Sequence, residues 1–158
     1  MSSDVYIVGA ARTPVGSFQG ALANQNAPQI GAHAIAAAIG QAGIDAAEID
    51  EVIMGNVVSA GLKQAPARQA MRQAELPDSC GATTINKVCG SGMKATMLAT
   101  DLIRAGSAAT VVAGGMESMS NAPFLVDKAR AGLRMGHAQM LDALFTDGLE
   151  DAETGGSM

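Results

Sequence analysis

Ile85-Asn86-Lys87-Val88-Cys89-Gly90-Ser91-Gly92-Met93-Lys94-Ala95 joins two segments of different period. Before it, Ala82 to Val88 is short and rich in β-branched residues, which predicts a strand. After it, from about Gly92 to Ala105, apolar residues recur at helical spacing. Met93, Met97, Leu98, Leu102 and Ile103 are expected to face inward, and Gly106 to end the helix. Thr110-Val111-Val112-Ala113 then reads as another strand, closed by Gly114-Gly115. Strand, helix and strand in succession is the signature of helices laid on a parallel sheet.

The same alternation continues upstream. Val5-Tyr6-Ile7-Val8, closed by Gly9, is expected as a buried strand. Arg12-Thr13-Pro14, Gly16 and Gly20 read as loop. Pro28 opens a helix, where its missing N–H does no harm, and Gly43 ends it. Glu51 to Val58 reads as a second strand. Pro66 to Glu75 is an amphipathic helix, with Ala67, Ala70, Met71 and Ala74 on its apolar face. The expected fold is therefore α/β, a largely parallel mixed sheet flanked by helices, over residues 1–120. Residues 121–158 lose this rhythm and read as a loop-rich excursion with one helix near Ala138 to Phe145. The ending Thr154-Gly155-Gly156-Ser157-Met158 reads as the middle of a turn, so this second region is expected to be truncated.

With 158 residues the chain can bury roughly 70% of its extended surface. Hydrophobic residues make up 48% and charged residues only 16%, where about 25% is usual. This excludes a disordered chain. So few charges leave some surface expected to meet another chain or a missing part of this one. A net charge of −5, with three Phe, one Tyr and no Trp, argues against nucleic-acid binding. The N-terminus has no basic stretch and carries Asp4, unlike a secretory signal. No apolar run is long enough for a membrane span. Two cysteines make no disulfide framework and imply a reducing, cytoplasmic setting.

Cys89 lies between strand and helix, and Gly90 and Gly92 permit a tight turn around it. A helix N-terminus favours a thiolate, and its free N–H groups can stabilise an oxyanion. The layout parallels the nucleophile elbow of serine hydrolases, with sulfur in place of oxygen. Most free cysteines are small buried hydrophobes, but this turn favours a nucleophile. Cys80, with no helix start beside it, reads as structural. His33 and His137 have no context that makes either the partner of Cys89, and Glu117 and Asp147 read as lone carboxylates. No group of residues has metal-ligand spacing. Gly114-Gly115 lacks the rest of a phosphate-binding loop. The ten methionines read as core and interface filler.

Four blocks together resemble the thiolase family. They are Ala10-Ala11-Arg12-Thr13-Pro14-Val15-Gly16, Asn86 to Ala95, Gly114 to Pro123, and Asp147-Gly148-Leu149. Their order and spacing are similar to those of thiolases along essentially the whole chain, with Thr96 a mild departure from the usual aliphatic residue. The resemblance implies the N-terminal half of an acyl-CoA C-acetyltransferase. In that family the residue matching Cys89 attacks an acyl-CoA and holds the acyl group as a thioester, and its backbone N–H faces the oxyanion. An enolate of a second acetyl-CoA then takes the acyl group, giving a 3-ketoacyl-CoA, and the reverse is thiolysis.

The resemblance further implies that Leu149 and Met158 line the pantetheine channel. Ser157 stands where many relatives carry His. Pro123 to His137 resembles a loop used for tetramer contacts, so a homo-dimer or homo-tetramer is implied, and a role in fatty acid metabolism. No cofactor beyond the coenzyme A thioester substrate is expected, and no metal. Thiolases also have a second half with Gly-His-Pro and Cys-x-Gly-Gly-Gly motifs, neither of which occurs here. A C-terminal half, in the same or a separate chain, is thus an expected partner. The competing readings are a non-catalytic assembly or binding module and, ranked below it, a thiol redox protein using Cys89 and Cys80.

Overall fold

In the computed structural model, which describes residues 4–158, Val52 and Met54 point to one side of a central strand and Ile53 to the other. All three are at most 2% exposed. That strand, β1 (Glu51–Gly55), is covered on both faces, which is why it reads as a continuous apolar run. It pairs in parallel with β2 (Gly81–Ile85) on one edge and β3 (Val111–Gly115) on the other, in the order β2-β1-β3.

One face carries α1 (Ala27–Ala42) packed on α2 (Pro66–Gln73). Asn26 caps α1 through a reciprocal box with Gln29, and Gly43 closes it at φ 67, a left-handed conformation that suits glycine. Ile35, Met71, Ala67 and Ala70 join Val52 and Met54 in the main core. The other face carries α3 (Ser91–Arg104), which presents Ser91, Ala95 and Ala99 to the sheet. These residues are small, so the helix lies close. A Cβ on Gly55 would stand 2.5 Å from that of Ser91, which fixes the start of α3 against the end of β1.

Past β3 the chain forms an antiparallel ribbon, β4 (Phe124–Val126) with β5 (Met140–Asp142), and a π-helical turn at Phe145–Leu149. The sheet core is thus α/β in three layers, and it is wholly parallel.

Three expectations fail. Val5 to Val8 forms no strand, and Tyr6, Ile7 and Val8 are 76%, 82% and 61% exposed. The segment runs along the outer side of a slot of about 380 Å³ whose inner wall is β3, so it has no ladder partner. Met93 and Met97 face out of α3, because its sheet side accepts only small residues. The helix near Ala138 to Phe145 is replaced by β5 and the π-helical turn.

Candidate active site

The turn from β2 to α3 is held by its own polar groups. Asn86 Oδ1 accepts from Val88 N–H at 2.9 Å. The buried Ser91 hydroxyl donates to Val88 O at 2.6 Å and accepts from Lys87 N–H at 2.9 Å. Gly90 and Ser91 N–H close back onto Lys87 O and Val88 O. This pinning holds Val88 at φ 48, which a β-branched residue adopts only under strain. Cys89, the next residue, is exposed. Gly90 caps α3 without a side-chain bond, and among the described residues no backbone oxygen accepts from Cys89, Gly92 or Met93 N–H. Free donors beside an exposed thiol are what an acyl-transfer site needs.

Cys89 opens on a cavity of about 390 Å³. Val57, Val58, Met116, Met119, Leu144 and Leu149 give it an apolar wall. Leu149 therefore shares the cavity with the thiol. Met158 does not line it and is 62% exposed, but its N–H donates to Leu149 O at 2.9 Å. Ser157 pairs with Glu150 in the same terminal turn. His33 and His137 are exposed and outside the cavity, so among the described residues it is lined by no imidazole. Cys80 is buried, its Sγ lies 3.3 Å from Gly81 O, and burial pushes its thiol pKa up. No group of acidic, His and Cys side chains among the described residues is arranged to hold a metal ion.

The residue that sequence reasoning missed is Glu117. Its carboxylate accepts from Asn56 Nδ2 at 2.7 Å, Val57 N–H at 2.9 Å and Val58 N–H at 3.1 Å. It lines the thiol cavity and ties the end of β1 to the end of β3. Burial raises its pKa above the usual carboxyl range, against the lowering effect of the two backbone N–H bonds. Asn56 is 2% exposed, its Nδ2 also donates to Met116 O, and its Oδ1 has no partner. Nothing in the local pattern announces this pair, because its members lie about sixty positions apart.

Residues 5–158 match the family described as thiolase, N-terminal domain. The chain is 54% identical over 149 residues to an acetyl-CoA acetyltransferase of Pseudomonas aeruginosa, covering 94% of this chain and 38% of that protein. It is 51% identical over 155 residues to an acetyl-CoA acetyltransferase of Schizosaccharomyces pombe, covering 98% and 39%. It is 53% identical over 148 residues to acetyl-CoA acetyltransferase 2 of Arabidopsis thaliana, covering 94% and 37%. The chain thus spans under two fifths of the length of these curated relatives. By this match and the strand–thiol–helix geometry, the chain belongs to the thiolase family as its N-terminal domain.

Proposed function

We propose that the chain supplies the acyl-carrying nucleophile of an acetyl-CoA acetyltransferase. The observation that carries this reading is the exposed Cys89 on a strained turn at the start of α3, facing an apolar cavity. The names of relatives about half identical to the chain support the same chemistry. The Cys89 thiolate attacks the thioester carbonyl of acetyl-CoA. The carbonyl oxygen becomes an oxyanion, for which Cys89 N–H and the free N–H groups of the first turn are the nearest donors. The oxyanion collapses, the C–S bond to coenzyme A breaks, and the departing thiolate takes a proton. The acetyl group is left on Sγ as a thioester. A second acetyl-CoA, as its enolate, attacks that thioester and forms acetoacetyl-CoA, freeing Cys89. Run backwards, the sequence is thiolysis of a 3-ketoacyl-CoA, as in fatty acid metabolism.

The base that forms the enolate belongs to a partner, a polypeptide segment with the Gly-His-Pro and Cys-x-Gly-Gly-Gly motifs. Leu149 borders the acyl or pantetheine path, and Met158 buttresses it through Leu149. A homo-dimer or homo-tetramer is the assembly we favour. The β4–β5 ribbon supports it, with Phe124, Leu133, Met135 and Met140 between 57% and 97% exposed. Two free cysteines support a reducing, cytoplasmic compartment. The non-catalytic reading rests on the same exposed ribbon. Stoichiometric transfer of acetyl from acetyl-CoA to Cys89, lost in Cys89→Ala, separates the two. Transfer supports the enzyme, and none with the partner segment present supports the binding module.

A further inference from the structure

Among the described residues, Glu117 is the only ionisable side chain besides Cys89 on the wall of the thiol cavity. Lys87 on the thiol turn, Lys94 on α3 and Asp147 on the π-helical turn do not line it. Three N–H donors converge on the Glu117 carboxylate, two of them the consecutive backbone groups of Val57 and Val58. Those two residues form part of the cavity wall. The grip passes onward through Val58, which is 6% exposed. A Cβ on Gly148 would stand 3.1 Å from Val58 Cγ2, so the turn that presents Leu149 rests against this side chain.

We propose that Glu117 is a positioning residue that sets which acyl groups fit against Cys89. Its carboxylate holds the Val57–Val58 wall and, through Val58 and Gly148, holds Leu149 in the cavity. The proposal deepens the acyl-transfer reading and rests on Cys89 being the acyl carrier. An ionised carboxylate suits the position because every group facing it donates. Protonation adds a donor where no acceptor is turned towards it, and a Gln amide does the same. Either change loosens the wall.

The test compares alkylation of Cys89 by N-methylmaleimide and by the bulkier N-cyclohexylmaleimide across pH. Both reagents consume the same thiolate, so the ratio of their rates cancels thiol ionisation and reads the width of the cavity. The wild-type ratio favours the small reagent above the titration range of Glu117. It falls about threefold or more in Glu117→Gln, the effect expected of one lost buried hydrogen bond. Glu117→Asp, which keeps the charge, recovers part of it. In the wild-type chain the ratio also falls as pH drops through the raised Glu117 pKa, and in Glu117→Gln it is flat. That titration needs no variant to fold. A Gln variant with the wild-type ratio, or a wild-type ratio that does not move with pH, overturns the proposal. The acyl-carrier reading fails separately, if acetyl from acetyl-CoA is found on a residue other than Cys89.

Discussion

Val88 at φ 48 precedes the reactive thiol and has no glycine's freedom. The left-handed region costs an ordinary residue about 1–2 kcal/mol, and glycine returns part of that gain through its looser unfolded chain. Val88→Gly is therefore expected to stabilise the chain by about 0.5–1 kcal/mol in denaturant melts. A destabilised variant would mean that the turn carries no strain. The thiol turn was legible because Gly90 and Gly92 follow the cysteine inside a strand-to-helix transition. The strain was not, since Val88 reads locally as one more β-branched strand residue. Glu117 was illegible for a different reason. Its meaning comes from the backbone N–H groups of Val57 and Val58, which only the pairing of β1 with β3 brings near. The raised Glu117 pKa has a consequence for stability. Because burial disfavours the ionised form, stability falls as pH rises from the unfolded carboxyl pKa through the folded one, although that ionised form is the one the three donors grip.

Periodicity located β1, β2, β3 and the three long helices because each buries a face that its pattern displays. Their apolar positions are also where substitutions should tell. Met71 of α2 has no solvent exposure and packs with Ile35 and Val52, so Met71→Ala should cost about 2–5 kcal/mol in urea unfolding. A cost well under 1 kcal/mol would deny that α1, α2 and β1 share one core. Asp50 works at the strand's mouth, where its carboxylate accepts from Ala109 N–H at 2.7 Å and Thr110 N–H at 3.0 Å. These bonds tie the approach to β3 to the start of β1 and lower the Asp50 pKa from 3.8. The gap in stability between wild type and Asp50→Asn should thus be present above that unfolded value. It should close as acid protonates the folded carboxyl. A gap independent of pH would remove the charge from the explanation. Where the reading failed, an element needed a neighbour that local sequence does not specify. Val5 to Val8 has strand composition and no ladder beside it. Met93 and Met97 have helical spacing, but only Ser91, Ala95 and Ala99 are small enough for the sheet side.

Across the molecule, low charge goes with open apolar surface. Tyr6, Ile7 and Val8 border the slot beside β3, and Phe124 and Met135 stand out from the ribbon region. Phe124→Asp with Met135→Asp should lower the sedimentation-derived mass of the assembly if the ribbon joins copies of the chain. An unchanged mass would remove the ribbon from that role. In the proposed reaction this domain contributes Cys89 as an acyl carrier. Peptide mapping by mass spectrometry, after incubation with acetyl-CoA and the partner segment, tests it most directly. The account predicts one acetyl group, on Cys89, released by excess coenzyme A and absent from Cys89→Ala. An acetyl group retained in Cys89→Ala, or none on Cys89 in the wild type, would contradict it.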